Sequence, residues 1–147
     1  MENIKLNQSE ILTFNELISN LGLLDIHISK LNHSKVEIKP TTNKFEVKIN
    51  INPGETETED RILKVNINFN VKLNYEGAPF FSFEVFYKVL FSMKDPSTVG
   101  YDLGLEKIRK FFLQKHIPRI LWPYLRQEFS TATGKSGIKP FNLPMIM

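Results

Sequence analysis

The most regular pattern in this chain is an alternation of apolar and polar residues between positions 63 and 75. Successive side chains of a β-strand point to opposite faces of a sheet, so the alternation predicts a strand with one apolar and one polar face. A similar alternation predicts strands over 45–51 and 80–93, and a weaker one over 24–38. The apolar positions are Leu63, Val65, Ile67, Phe69, Val71, Leu73 and Tyr75, then Phe45, Val47, Ile49 and Ile51, then Phe81, Phe83, Val85, Tyr87, Val89 and Phe91, and more weakly Leu24, Ile26, Ile28, Val36 and Ile38.

Turn signals separate these segments. Pro53-Gly54 and the acidic run to Asp60 predict a solvated hairpin connection, and Glu76-Gly77 predicts the next turn. The four strands are therefore expected to follow one another as consecutive antiparallel hairpins. The last strand also carries Phe80, Phe86 and Leu90 on its second face, which predicts that something covers that face.

Three segments have helical periodicity. Ser9 to Gly22 predicts an amphipathic helix with a capping box from Thr13 to Glu16, and Asp95-Pro96-Ser97 predicts a turn before a helix over 103–116. A further helix is expected from Leu121, and Gly134 and Gly137 are expected to end it. The apolar faces are Ile11, Phe14, Ile18 and Leu21, then Leu105, Ile108, Phe111 and Phe112, then Leu121, Leu125, Phe129 and Ala132.

The order of these elements indicates an α+β fold. We expect a four-stranded antiparallel β-meander with C-terminal helices packed on one face, plus a short N-terminal helix. A length of 147 residues fits one domain over residues 1–147. The N-terminus lacks the apolar core of a signal peptide, and no apolar run reaches the roughly 18 residues of a membrane span, so a cytoplasmic protein is expected.

Residues 116–143 carry the most specific signal. The string Pro118-Arg119-Ile120-Leu121-Trp122-Pro123-Tyr124-Leu125-Arg126-Gln127 is followed by Gly137, Pro140 and Phe141-Asn142-Leu143. It resembles the C-terminal segment of the SecB family of protein-export chaperones, which has a Pro-Xaa-Ile-Leu-Phe-Pro-Tyr-Ala-Arg-Glu stretch, a Gly-containing turn, Pro and a Leu-Asn-Leu-type tail. The positions that carry this likeness are Pro118, Leu121, Trp122, Pro123, Tyr124, Arg126, Gly137 and Pro140. Residues 46–51 and 81–85 are similar to the family's second and fourth strands.

The resemblance implies a dimer of dimers that holds non-native polypeptides in a hydrophobic groove without ATP, and it implies no cofactor. In that family, carboxylates on the sheet dock the translocase ATPase SecA, and Glu84 matches one such position. Other features differ: the chain is basic, its first strand has Lys30 and Lys35 where acids are expected, and it stops at Met147 without the family's tail. These differences weigh against docking to SecA. A chaperone dedicated to one client, such as an antitoxin, is the alternative.

Two apolar segments are candidates for a client groove. Methionine is flexible and polarizable, which suits a surface that accepts many sequences, and the C-terminal segment ends in Met-Ile-Met. The structural alternative is that these residues seal the subunit's own core or a dimer seam. The candidate polypeptide-binding residues are Phe45, Val47, Ile49, Ile51, Phe141, Leu143, Met145 and Ile146.

Other functional classes have weaker support. The chain has no cysteine, and His27, His33 and His116 have no metal-ligand spacing, so no metal site is expected. The net charge of +3 raises the alternative of a nucleic-acid-binding module, but basic residues alternate with Glu and no RNP-type motif occurs, so no nucleic-acid partner is expected. No nucleophile elbow or phosphate loop occurs, so no enzyme is expected, and a small ligand carrier would require a closed cavity that nothing indicates.

Overall fold

The computed structural model describes residues 4–37, 45–138 and 143. Pro140, Phe141, Met145, Ile146 and Ile38 lie outside these described residues. The elements, in chain order, are α1 Gln8–Ser19, β1 Leu21–Lys35, β2 Glu46–Glu59, β3 Ile62–Tyr75, β4 Ala78–Met93, α2 Pro96–Gly104, α3 Glu106–Phe111, a π-helical turn Phe112–His116 and α4 Ile117–Lys135.

The strands form one antiparallel sheet in the order β1-β4-β3-β2. The expected four-stranded antiparallel sheet with helices is confirmed, but the prediction that all strands follow as consecutive hairpins is wrong. Only β2, β3 and β4 form a meander. The strand β1 pairs with β4, so β1 and β2 are the two edge strands.

The weak alternation of β1 has a physical cause. Its pairing with β4 shifts register between Leu23 and Asp25 and again between Ile28 and Lys30. Each β-bulge adds one residue to a strand and so moves the following side chains to the other face. The spacing of two residues predicted that Leu24 and Ile26 share a face, but the bulge between Leu23 and Asp25 separates them.

The other hairpins also differ from expectation. The strand β2 does not end at Pro53: it bulges between Pro53 and Thr56 and continues to Glu59, and Asp60 makes the turn with a φ of 54°. In β4, a register shift near Phe80 turns this ring toward Phe45 and Tyr75, with centroid distances of 5.2 and 6.4 Å. Phe80 is consequently part of the core and not of the second face.

All the helices share one core with the sheet. Every apolar position of the alternations in β3 and β4 is buried, together with residues of each helix. From α4, Phe129 packs edge to face on Phe83 and Phe81, at centroid distances of 5.7 and 6.0 Å, and Trp122 packs on Phe69 at 6.5 Å. The helices therefore cover a single face of the sheet, as the sequence predicted.

The N-terminal helix begins and ends earlier than expected. Its capping box is formed by Asn7 and Glu10 and not by Thr13 and Glu16: the Asn7 Oδ1 atom accepts from the Glu10 N–H, and the Glu10 carboxylate accepts from the Asn7 N–H, each at 2.9 Å. The helix buries Leu17, whereas Ile11, a member of the predicted apolar face, is exposed.

The C-terminal helices differ from the prediction in their bounds: the helix expected over 103–116 is interrupted at Leu105, whereas helical turns run without a break from Glu106 to Lys135. Asp95 caps α2, so the predicted turn at Pro96 is a first helical turn. A regular helix would bring the Pro118 ring against the carbonyl four residues earlier, and the wider π-helical turn before α4 accommodates it. Beyond α4, Ile138 N–H donates to Thr133 and Gly137 N–H to Gly134, and Gly137 has a φ of 74°, which is a Schellman motif.

Candidate functional site

The main candidate site is a strip of apolar side chains on the edge strand β2 and on the residue just before it, which we call the edge strip. It consists of Phe45, Val47, Ile49 and Ile51. Each is half-buried, whereas the β3 residues to which the last three are paired are fully buried. The edge strip thus packs its inner side on the core and leaves its outer side open.

Two aromatic contacts mark the ends of the edge strip. Phe45 stacks on Phe80 at a centroid distance of 5.2 Å and contacts Tyr75 at 5.7 Å. At the other end, Trp122 of α4 packs on Phe69, the β3 residue paired with Ile51. The π-helical turn lies against β2 as well. The helical layer therefore reaches this edge of the sheet but leaves it partly uncovered.

The backbone beside the edge strip forms one border of the described sheet. Because β2 is an edge strand, the N–H and C=O groups of its outer side bond to no strand of the described chain. Beyond Pro53 the edge carries the exposed carboxylates of Glu55, Glu57 and Glu59, which discourage pairing with another strand. Among the described residues, the stretch of this edge without carboxylates is 47–52, directly beside the edge strip.

Half-buried apolar residues of the helical layer also pack against the core. Leu113 follows the start of the π-helical turn and Ile120 lies in α4, one turn before Tyr124, whose surface is 47% exposed. The spacing of four between Ile120 and Tyr124 placed them on one helix face, but their partial exposure was not evident from the sequence. Leu143, a candidate client contact, is 1% exposed and packs in the core.

The residues of the family-like string have mostly structural positions. Pro118, Leu121 and Trp122 are buried in α4, and Arg126 is half-buried. Pro123 and Tyr124 are exposed on the same helix. Most of this string therefore holds α4 on the sheet.

Glu84, the candidate SecA contact, lies on the sheet face opposite the helices. Its cross-strand partners are Asn70 and Asn32. The described part of this face brings no second carboxylate directly opposite Glu84.

The titratable groups lie in separate places. His27 Nδ1 lies 3.2 Å from the Asp25 carboxylate, His33 stacks on Phe81, and His116 lies between Phe14 and Phe112. Burial lowers the pKa of the His116 imidazole, and the charge of Arg119 lowers it further. The described residues contain no group of three or more metal-ligating side chains.

Two buried polar side chains stand out. Burial raises the pKa of the Asp102 carboxyl in α2, and the charge of Glu16 in α1 raises it further. Burial also raises the pKa of the Tyr87 phenol, with a smaller effect from Glu128. Neither the Asp102 Oδ2 atom nor the Tyr87 hydroxyl has a hydrogen-bond partner within the described residues.

A second group of exposed apolar residues lies at the opposite edge of the sheet and on α1. On β1, Leu23, Leu24 and Ile28 are exposed by 51%, 55% and 37%. On α1, Ile11 and Leu12 are exposed by 46% and 67%. We call these five residues the β1/α1 surface.

No helix among the described residues is long and apolar enough to cross a membrane. The chain matches the family model described as preprotein translocase subunit SecB over residues 18–147. Two curated proteins from Orientia tsutsugamushi, strains Boryong and Ikeda, each called protein-export protein SecB, are 30% identical to it over 112 residues, which is 76% of this chain. The chain spans 62% and 61% of the length of these relatives.

A solved structure has the same fold. It is that of the Mycobacterium tuberculosis Rv1957 SecB-like chaperone in complex with a ChAD peptide from the Rv1956 HigA1 antitoxin, and it superposes with a TM-score of 0.76. The sequence identity is 13%, and the match covers 94% of this chain and 99% of that one. With the family model matching most of its length, this chain belongs to the SecB family.

Proposed function

We propose that this protein is an ATP-independent chaperone that holds extended segments of non-native polypeptides along the edge strip. The observation that carries the proposal is the position of four half-buried apolar side chains directly beside a stretch of backbone that pairs with no second strand of the described residues on its outer side. An extended client would pair with the backbone of β2 and place alternate side chains against the edge strip. This is binding and not catalysis.

This arrangement selects clients by conformation and apolar content. Burial of apolar surface contributes about 25 cal/mol per Å² regardless of which apolar residue supplies it. Backbone hydrogen bonds are also independent of side-chain identity, but they require an extended, unpaired segment. Folded proteins bury their apolar residues and saturate their backbone, so they would not compete.

Two client ranges are compatible with the site. A general export chaperone would bind many preproteins, whereas a dedicated chaperone would bind one partner. The structure of the Mycobacterium tuberculosis SecB-like chaperone with an antitoxin peptide supports the second alternative by analogy of fold. The exposed carboxylates at the far end of β2 would favour clients with basic residues beside an apolar segment.

We further propose that the protein assembles as a dimer of dimers through the β1/α1 surface. Exposed apolar residues on neighbouring elements mark an interaction surface. The free edge of β1 would pair with its counterpart in a second copy, because a two-fold interface brings the same strand from each subunit together. The predicted cytoplasmic location fits this proposal.

The proposal of SecA docking has little support from the surroundings of Glu84. Its neighbours across the strands are amides, and the nearby charged side chains on this face are lysines. We therefore propose client holding as the function and leave delivery to SecA outside it.

The test is suppression of aggregation. The purified protein, without nucleotide, should delay the aggregation of a chemically unfolded test protein diluted into buffer, as followed by light scattering. A native protein of the same size should bind no measurable amount. If a several-fold molar excess produced no delay, the proposal would be wrong.

A further inference from the structure

The first half of β2 carries two opposite charges beside the edge strip. Glu46, Lys48, Asn50 and Asn52 alternate with the apolar residues of the edge strip, so they point to the sheet face opposite the helices. All four side chains are exposed. A polypeptide that pairs with β2 would therefore meet the edge strip on one face of the sheet and this polar row on the other.

The two charges are available to a neighbouring strand. On β3, Asn74 lies opposite Glu46 and Lys72 lies opposite Lys48. The first pair contains no cation, and the second places two like charges side by side, which is unfavourable in a sheet. Within the described residues, no ion pair involves Glu46 or Lys48. Each of these two side chains would therefore gain from an opposite charge on the free side of β2.

The positions of the two charges define an order of charges in the client. Directly opposite residues of antiparallel strands share a face, and the two strands run in opposite directions. An antiparallel client would thus meet Ile51 and Ile49 first, then Lys48, and Glu46 two positions later. The complementary client has apolar residues at alternate positions, then an acidic residue, an apolar residue and a basic residue.

The reverse order of charges fits this edge less well. A client with the same apolar positions but with the basic residue first could match both charges only by running parallel to β2. Its preceding apolar residues would then lie beside the chain before Glu46, and their contact with Ile49 and Ile51 would be lost. A slip of the antiparallel client by two residues places like charges beside each other. The two charges thus fix the direction and the register of the client, which apolar contacts alone leave open.

We propose that Glu46 and Lys48 are specificity-determining residues that select the charge order and the direction of the client at the edge strip. The favoured segment runs antiparallel to β2 and reads polar, apolar, polar, apolar, acidic, apolar, basic from its N-terminus. Polar residues fit opposite Asn50 and Asn52 because amides both donate and accept. The inference rests on the proposed function, since it concerns the same site.

The strength of this selection follows from the exposure of the charges. Charge pairs across neighbouring strands contribute modestly where water reaches them, so we expect a preference of about fivefold for the favoured order over the exchanged order. The preference should become smaller as the salt concentration rises, because salt screens exposed charges.

The experiment uses the full chain and three fluorescein-labelled peptides with blocked termini, with fluorescence anisotropy as the readout. The acid-first peptide is Asn-Val-Asn-Ile-Glu-Val-Lys, the basic-first peptide is Asn-Val-Asn-Ile-Lys-Val-Glu, and the neutral peptide has Gln at both charged positions. The test variant is Glu46→Lys with Lys48→Glu, which exchanges the charges and keeps the net charge. The control variant is Glu57→Lys with Lys64→Glu, an exchange within a directly opposed pair beyond the bulge of β2.

We expect the unmodified protein to bind the acid-first peptide about fivefold more tightly than the basic-first peptide. The test variant should reverse this preference, whereas the control variant should keep it. Both variants should bind the neutral peptide within about twofold of the unmodified protein, because the apolar contacts of the edge strip are unchanged.

Two kinds of failure can be told apart by the neutral peptide. Equal affinity of the unmodified protein for the two charged peptides would overturn the charge order, and so would a preference that survives the exchange in the test variant. In both cases, binding of the neutral peptide would still support client holding. Absence of binding to all three peptides would overturn the proposed function together with this inference.

A second copy of the chain is the competing occupant of this edge. The strand β2 itself has Glu46 before Lys48, so two copies paired antiparallel about Val47 would also match their charges. The single change Lys48→Glu would place carboxylates opposite each other in such a pair. A lower mass of this variant in solution, compared with the unmodified protein, would assign the edge to self-pairing and overturn the proposal. An unchanged mass supports a client as the occupant.

Discussion

Replacement of Ile49 by Thr is the most direct test of the edge strip. Thr keeps the β-branched shape that suits a strand but replaces a methyl-bearing branch with a hydroxyl. The half-buried side chain offers a client on the order of 40 Å² of apolar surface, which corresponds to about 1 kcal/mol at 25 cal/mol per Å². We therefore expect Ile49→Thr to weaken client binding about fivefold. Adding Ile51→Thr should bring the loss to about thirtyfold.

The assay measures the dissociation constant of a fluorescent, unstructured apolar peptide in the absence of nucleotide. Ile62→Thr is the matched control, because Ile62 is also a half-buried strand isoleucine but begins β3 beside the turn and lies on the opposite face of the sheet. Thermal unfolding of each variant separates lost binding from lost stability. An equal loss of affinity in Ile62→Thr and Ile49→Thr, or no loss in either, would refute the assignment of the edge strip.

Three further predictions concern stability. Burial and the charge of Glu16 raise the native pKa of the Asp102 carboxyl, so the native state binds the carboxyl proton more tightly than the unfolded state does. The stability that this proton contributes is present below about pH 4 and is lost as pH rises through the native pKa. Asp102→Asn should therefore gain stability relative to the unmodified protein between pH 4 and pH 7 in urea titrations, and a constant difference would contradict this. Phe129→Ala removes a fully buried ring that packs on two strand phenylalanines. It should lower the free energy of unfolding by about 3–5 kcal/mol and the Tm by about 10 °C. A loss of less than about 1.5 kcal/mol would contradict this packing. Asn7→Ala removes the cap of α1 and should cost about 1 kcal/mol, whereas Asn15→Ala on the exposed side of the same helix should cost less in the same denaturation assay.

The alternation in β3 and β4 was sufficient to predict their faces because both strands are interior. Each has a neighbour on both sides, so its register is fixed and its apolar side chains all reach the core. The helical face of α4 was also predictable, since Leu121, Leu125 and Phe129 are all fully buried.

Local geometry explains the errors. Bulges in β1, in β2 and near Phe80 each insert one residue into a strand. The alternation of apolar and polar residues does not show where such an insertion falls, so the faces beyond each bulge were mispredicted. The capping box was misplaced because Thr13 and Glu16 have the same spacing as Asn7 and Glu10. Partial exposure of the edge strip was not predictable either, because it depends on how far the helical layer extends across the sheet.

The order of the strands decides whether a client site can exist on β2. In the expected meander, β2 would lie between β1 and β3, and its backbone would be paired on both sides. Because β1 instead pairs with β4, β2 becomes an edge, and its apolar alternation borders backbone groups that pair with no strand in the described part of the chain. The two edges then differ in their protection: β1 is bulged twice and exposes Leu23 and Leu24, whereas the far half of β2 carries carboxylates. Among the described residues, an edge that is apolar on one face, regular in register and without carboxylates thus remains at 47–52, where an extended polypeptide would gain both apolar contact and backbone hydrogen bonds.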